Sequence, residues 1–124
     1  MRWRADPAGD RFFVLRTYRR DGRGVDTALW LAADGSRWLG LTPAGSGKVA
    51  RIERGAQVRL ARRDADGVPR GDWIDARARV LDEAGRRAAI AALTRKYGAA
   101  FRFFRLVLLV GRRGRGVALE VRPC

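Results

Sequence analysis

The chain contains no histidine, and its one cysteine is Cys124. Histidine is the commonest general base and the commonest ligand for metals and haem, so its absence removes the usual routes to acid–base and metal catalysis, and no metal site is expected. One thiol forms no internal disulfide, so stability must come from packing or association, and a reducing cytoplasm is the expected compartment. Long apolar runs are missing too. The greasiest stretch, Leu106 to Val110 with Phe103 and Phe104 ahead of it, falls far short of the roughly 20 residues that cross a bilayer. Neither end carries the apolar core of a signal peptide, so the expectation is a soluble protein with no membrane partner.

Acid is scarce: 13 carboxylates stand against 27 basic residues, a formal net charge of +14. An anionic ligand or partner follows. Nearly all of that charge is arginine, Lys48 and Lys96 being the only lysines, and it is spread along the chain. A nucleic-acid reader would interleave basic residues with exposed aromatics on one face. Tyr18 with Arg16, Arg19 and Arg20 is the one hint of that pattern, so nucleic acid is disfavoured among anions.

What is present suits one domain, residues 1–124, with 47% hydrophobic residues and neither repeat nor low-complexity linker. Phe12 to Arg19 alternates and is rich in aromatic and β-branched types. Asp21-Gly22 breaks the run, Val25 to Ala32 resumes it, and a second break at Asp34-Gly35 leads to Arg37 to Leu41, which reads as a meander. Ala56, Val58 and Leu60 alternate as a fourth strand. Asp64 to Gly71 has turn composition, and Trp73 to Leu81 alternates as a fifth strand. Asp82 is placed to cap a helix carrying Ala89, Ile90, Leu93 and Tyr97, which Gly98 ends. Phe101 to Val110 reads as a further helix, Gly111 to Gly116 as a Gly/Arg loop, and Val117 to Val121 as a closing strand. The sum is a mainly β domain with peripheral helices, a small barrel of about six antiparallel strands, since closure removes exposed edges.

The segment Thr42-Pro43-Ala44-Gly45-Ser46-Gly47-Lys48-Val49-Ala50-Arg51-Ile52 has the chemistry of a phosphate seat. Ser46 is placed to cap a short helix, Val49 and Ile52 give it an apolar stripe, and Gly55 closes it. Free N–H groups at the helix start attract an anion, and Lys48 adds a full charge.

From Phe13 to Val121 the chain resembles the flavin- and deazaflavin-binding split β-barrel family, whose best-known member is pyridoxamine 5′-phosphate oxidase, and within it the branch that uses coenzyme F420. The resemblance is carried by Thr17-Tyr18-Arg19-Arg20-Asp21-Gly22-Arg23, Thr27-Ala28-Leu29-Trp30, Asp34-Gly35, Thr42 and Ser46 to Ile52. It continues through Gly71-Asp72-Trp73, Ala78 to Asp82 and Lys96-Tyr97-Gly98. It implies a split β-barrel, a homodimer with cofactor sites in the grooves between barrels, and hydride transfer between reduced F420 and a small unsaturated acceptor. It assigns the cofactor phosphate to Thr42, Ser46 and Lys48, with Arg51 one turn along the helix, counts Gly47, between Ser46 and Lys48, among the cofactor-binding residues, and lays the strand holding Thr27 and Trp30 beside the ring system. Asp26 and Gly47 stand where the flavin mononucleotide (FMN) oxidases carry arginines, which turns the expectation from FMN toward F420. The alternatives are an FMN oxidoreductase of the same fold, or a cofactor-binding protein without turnover. In such chemistry the protein supplies position and exclusion of water, so no catalytic residue is expected. Asp26, Asp72 and Asp75 read as ion-paired surface acids.

Overall fold

The computed structural model describes residues 13–63, 69–110 and 116–124. Phe12, most of the 64–71 turn and residues 111–115 of the Gly/Arg loop lie outside the described residues, as do the side chains at 63, 69–72 and 108–110.

β1 (Phe13–Tyr18) and β2 (Gly24–Leu29) pair as a hairpin, from Phe13 opposite Leu29 to Tyr18 opposite Gly24. Its turn is fixed by two backbone bonds, Arg19 N–H to the Arg23 carbonyl at 2.8 Å and Gly22 N–H to the Arg19 carbonyl at 2.9 Å. Gly22 sits there at φ 87°, a left-handed conformation that side chains resist. The Asp21 carboxylate accepts from the Arg23 amide at 3.0 Å, the short-range bond that Asp offers a turn.

The expected second strand, Val25 to Ala32, is in fact two. The strand stops at Leu29 and resumes as β3 (Ala32–Asp34), which pairs with β4 (Arg37–Pro43). With β5 (Gln57–Arg63), β6 (Pro69–Val80) and β7 (Gly116–Pro123), the sheet has seven strands rather than about six, in the order β2-β1-β5-β6-β7-β4-β3, every pairing antiparallel. β2 and β3 therefore form opposite edges, yet only Trp30 and Leu31 separate them in the chain. The sheet has to curl until its edges meet at those two residues, giving a half-barrel.

Gly40 makes that crossing possible. A Cβ added there would lie 3.0 Å from the Trp30 carbonyl oxygen and 3.1 Å from Leu31 Cδ2. Gly40→Val should therefore destabilise the fold by about 2 kcal/mol, the usual cost of overpacking a core. Urea unfolding checks this: the midpoint falls at an unchanged slope, and an unmoved midpoint would show that the crossing has room to spare.

Alternation along β5 and β6 sends Val58, Leu60, Ala76 and Ala78 inward and Arg59, Asp75, Arg77 and Arg79 outward. The register shifts between Leu60 and Arg62, and Leu60 and Ala61 are both buried, as expected of a β-bulge that bends a strand. One core fills the half-barrel, with Phe13, Leu15, Leu31, Leu60 and Leu119 at its centre, and Ile52 of α1 (Gly47–Arg54) plugs into it. A second core lies under α2 (Glu83–Tyr97) and α3 (Ala99–Val110), where Leu39, Leu41, Leu93, Tyr97 and Phe101 meet.

Asp82 caps α2 as expected, accepting from the Gly85 amide at 3.0 Å, and Gly98 ends it at φ 60°. The helix expected from Phe101 to Val110 is α3. Gly55 does follow α1, but in extended backbone, its amide donating to the Arg51 carbonyl at 3.1 Å. Among the described residues, no helix is long and apolar enough to cross a membrane.

A buried acid joins three strands. Glu120 of β7, only 3% exposed, accepts from Arg79 of β6 at 2.9 Å, Arg37 of β4 at 2.8 Å and Arg122 at 3.0 Å. Arg79, then Arg37 and Arg122, outweigh the opposing effect of burial and hold the carboxyl down at about 2.

Candidate functional site

The turn before α1 folds back on itself, the Ser46 amide donating to the Pro43 carbonyl at 3.1 Å. Ser46 has the extended backbone of an N-cap residue (φ −74°, ψ 151°), but its hydroxyl makes no cap bond, contrary to the expectation from sequence. Its Oγ is buried without any hydrogen-bond partner. Such an orphaned group costs about 1–3 kcal/mol. It lies beside a helix start whose first amides lack intrahelical acceptors. The hydroxyl is closed off from solvent, and Ser46 is not among the residues that line the cavity beside Thr42 and Lys48.

Lys48, in the first turn of α1, donates from Nζ to Thr42 Oγ1 at 2.7 Å. Thr42 stands near the end of β4 and is 2% exposed, so its hydroxyl holds the ammonium in place. Both residues line a cavity of about 260 Å³ whose other walls include Ala28, Leu29, Trp30 and Phe104. Trp30 stacks on Tyr97 with centroids 4.7 Å apart and planes 17° from parallel, and it leans on Phe104 at 5.4 Å. The backbone behind it is pinned as well: the Leu31 carbonyl accepts from Tyr97 Oη at 3.1 Å and from Lys96 Nζ at 2.7 Å. The cavity thus has a cationic, hydroxyl-bearing end and a fixed aromatic wall. That pairing suits a phosphate joined to a planar ring, and the residues present fit such a group.

The remaining expected residues lie elsewhere. Thr27 is half-buried on β2 with Oγ1 3.5 Å from the Leu15 carbonyl, and it does not line this cavity. Arg51 donates from Nε to Thr17 Oγ1 at 2.7 Å. A Cβ on Gly47 would meet Arg51 Nη1 at 2.7 Å, so the glycine leaves room for the guanidinium over the first turn. Arg51 and Gly47 line a separate concavity of about 500 Å³ with Arg19, Arg20, Arg23 and Arg54. Burial, with the charges of Arg19 and Arg54, pushes the Arg51 guanidinium below its ordinary value.

Phe104 was not expected in the site, nor was the Tyr97–Trp30 stack. The signal was the helical spacing of Phe101 and Phe104, but only the docking of α3 shows that Phe104 reaches Trp30. Two of the three acids expected to be ion-paired are so: Asp26 with Arg16 at 2.7 Å and Asp75 with Arg59 at 3.1 Å. Asp72 lies where side chains are not described. Trp73 lies under the Arg16 guanidinium at 4.1 Å, and Trp38 packs half-buried against the barrel core.

A curled antiparallel sheet with helices over its flank, and a cavity where its edges meet, is the architecture of a split barrel. Solved structures agree with that class. The chain superposes on the heme storage protein HutZ from Vibrio cholerae with a TM-score of 0.70 at 14% identity, covering 95% of this chain and 84% of that one. It superposes on an F420 reductase with a TM-score of 0.62 at 20% identity, covering 100% and 96%. A putative pyridoxamine 5′-phosphate oxidase from Listeria innocua gives 0.61 at 13% identity, covering 91% and 83%. No protein-family model matches the chain, and no curated protein does.

Proposed function

We propose that this protein is an oxidoreductase of the split-barrel class that binds the deazaflavin coenzyme F420 and works as a cytoplasmic homodimer. The observation that carries the reading is the Lys48–Thr42 contact of 2.7 Å at the polar end of a cavity walled by Trp30. When bound, the coenzyme supplies a ring that gives or takes a hydride. Lys48, the orphaned Ser46 hydroxyl and the α1 amides would hold its phosphate. Trp30, fixed by Tyr97 and Phe104, would set the plane of the ring and keep water from one side of it. Thr27, on the same strand as the cavity-lining Ala28 and Leu29, would border the ring from outside the cavity.

A cavity of about 260 Å³ is smaller than the usual range of about 300–1,000 Å³ for ligand sites. A second copy of the chain would supply the missing wall and the pocket for a small unsaturated acceptor. Phe103, Leu106 and Val107 of α3 are 68%, 57% and 48% exposed, an apolar strip suited to such a contact. F420 is favoured over FMN because Asp26, where the oxidases carry arginine, is engaged with Arg16. Haem, suggested by the HutZ likeness, would have to bind without its commonest axial ligand, since the chain has no histidine.

Fluorescence titration tests this reading. F420 should quench Trp30 saturably and more tightly than FMN, and Trp30→Phe should remove most of the quenching while binding survives in calorimetry. Tighter binding of FMN would transfer the reading to a flavin oxidoreductase, and binding of neither would overturn it.

A further inference from the structure

The hairpin turn between β1 and β2 and the outer face of α1 bring five guanidinium groups to one concavity, those of Arg19, Arg20, Arg23, Arg51 and Arg54. One acid lines it, Asp21, and that acid is already engaged with Arg23 through a side-chain contact of 3.1 Å and a backbone bond of 3.0 Å. Elsewhere the described arginines do not share a hollow of this kind: Arg16, Arg37, Arg59, Arg79, Arg86 and Arg122 each meet a carboxylate, while others such as Arg77 and Arg87 meet none but do not line it. Among the described residues, Arg19, Arg20 and Arg54 meet none.

Unpaired like charges in a shared hollow repel one another, and burial first, then the charges of Arg19 and Arg54, disfavours the charged form of Arg51. The fold nonetheless holds the group in place. Thr17, fully buried, accepts from Arg51 Nε at 2.7 Å, Gly47 leaves the space that Arg51 occupies, and two backbone bonds fix the turn that presents Arg19 and Arg20. Planar forks around one such hollow, with a single acid among them that Arg23 already engages, match the bidentate geometry of phosphate and carboxylate oxygens. No aromatic side chain lines the hollow, so nothing there would recognise a base or a ring.

We propose that this concavity is a second anion site, separate from the Thr42–Lys48 seat, and that it binds a compact polyanion of several linked phosphate or carboxylate groups. The hollow, about 500 Å³, is open and large enough for three such groups. The site does not depend on the identity of the redox cofactor, since none of its arginines lines the Trp30 cavity.

Calorimetry on the full chain at physiological salt tests the proposal with inorganic triphosphate and with citrate. At least one should bind saturably, triphosphate the tighter if phosphates are the natural ligand and citrate the tighter if carboxylates are. The double variant Arg20→Gln/Arg54→Gln alters exposed side chains and should leave thermal unfolding in place while weakening that binding at least tenfold. Lys48→Ala should leave it unchanged. Binding of neither anion, or equal binding by the double variant, or a loss in Lys48→Ala as large as in the double variant, would overturn the proposal. A single-stranded oligonucleotide that binds more tightly than triphosphate, with steep salt dependence, would overturn it in favour of a nucleic-acid backbone.

Discussion

Glu120→Gln should lower the stability of the fold at neutral pH by about 3 kcal/mol, which for a domain of this size is roughly 10 °C in Tm. The substitution keeps the shape and removes the charge, leaving Arg37, Arg79 and Arg122 around a neutral amide inside a sheet where Glu120 is 3% exposed. The pH dependence gives an independent check. Glu120 has its carboxyl held at about 2 in the fold, against roughly 4.3 when unfolded. Its contribution is therefore complete above the unfolded value and disappears as pH falls from about 5 toward 2, because the unfolded chain takes up the proton first. Urea unfolding of the two proteins at pH 7 and pH 3 should show the gap shrinking in acid, while a gap independent of pH would mean that the charge is not what stabilises the three strands. Arg79 and Arg122 are half-exposed or more, so added salt should narrow the gap as well.

Lys48→Ala should weaken F420 binding ten- to a hundredfold, the equivalent of one or two charge-assisted hydrogen bonds. Thr42→Val should weaken it about tenfold by a different route. It leaves the ammonium in the chain but removes the hydroxyl that fixes it at 2.7 Å. Both variants should fold, because Lys48 is half-buried and Val retains the volume of Thr. Calorimetric titration of each against wild type gives the ratio. Equal losses would mean that position matters as much as charge, whereas a loss in Thr42→Val alone would contradict the assignment of the phosphate to Lys48.

Much of the architecture was legible because its causes are local. The alternation of Val58 and Leu60 with Gln57 and Arg59, the Asp82 cap, the Gly98 stop and the Val49–Ile52 stripe of α1 are all settled within a few residues, and all occur as expected. The split of the second strand was hidden because nothing in Val25 to Ala32 breaks a strand. The break comes from sheet closure, which needs Gly40 on a distant strand to let the chain cross.

The candidate site divides in the same way. Thr42 and Lys48 lie near one another in the chain and come together, whereas the direction of Arg51 depends on Thr17, a partner 34 residues away. The missing cap bond of Ser46 and the stacking of Tyr97 on Trp30 are likewise tertiary outcomes. Glu120 gave no sign of its role because its three arginines come from β4, β6 and β7, brought together only by the strand order of the sheet.

The most direct test of the central claim is the phosphorus-31 resonance of F420, followed as protein is added. Wild-type protein should shift and broaden it saturably, and so should Arg20→Gln/Arg54→Gln, while Lys48→Gln should leave it close to its free position. A resonance that the protein does not perturb, or that Lys48→Gln perturbs as strongly as wild type, would contradict a phosphate seat at Thr42, Ser46 and Lys48.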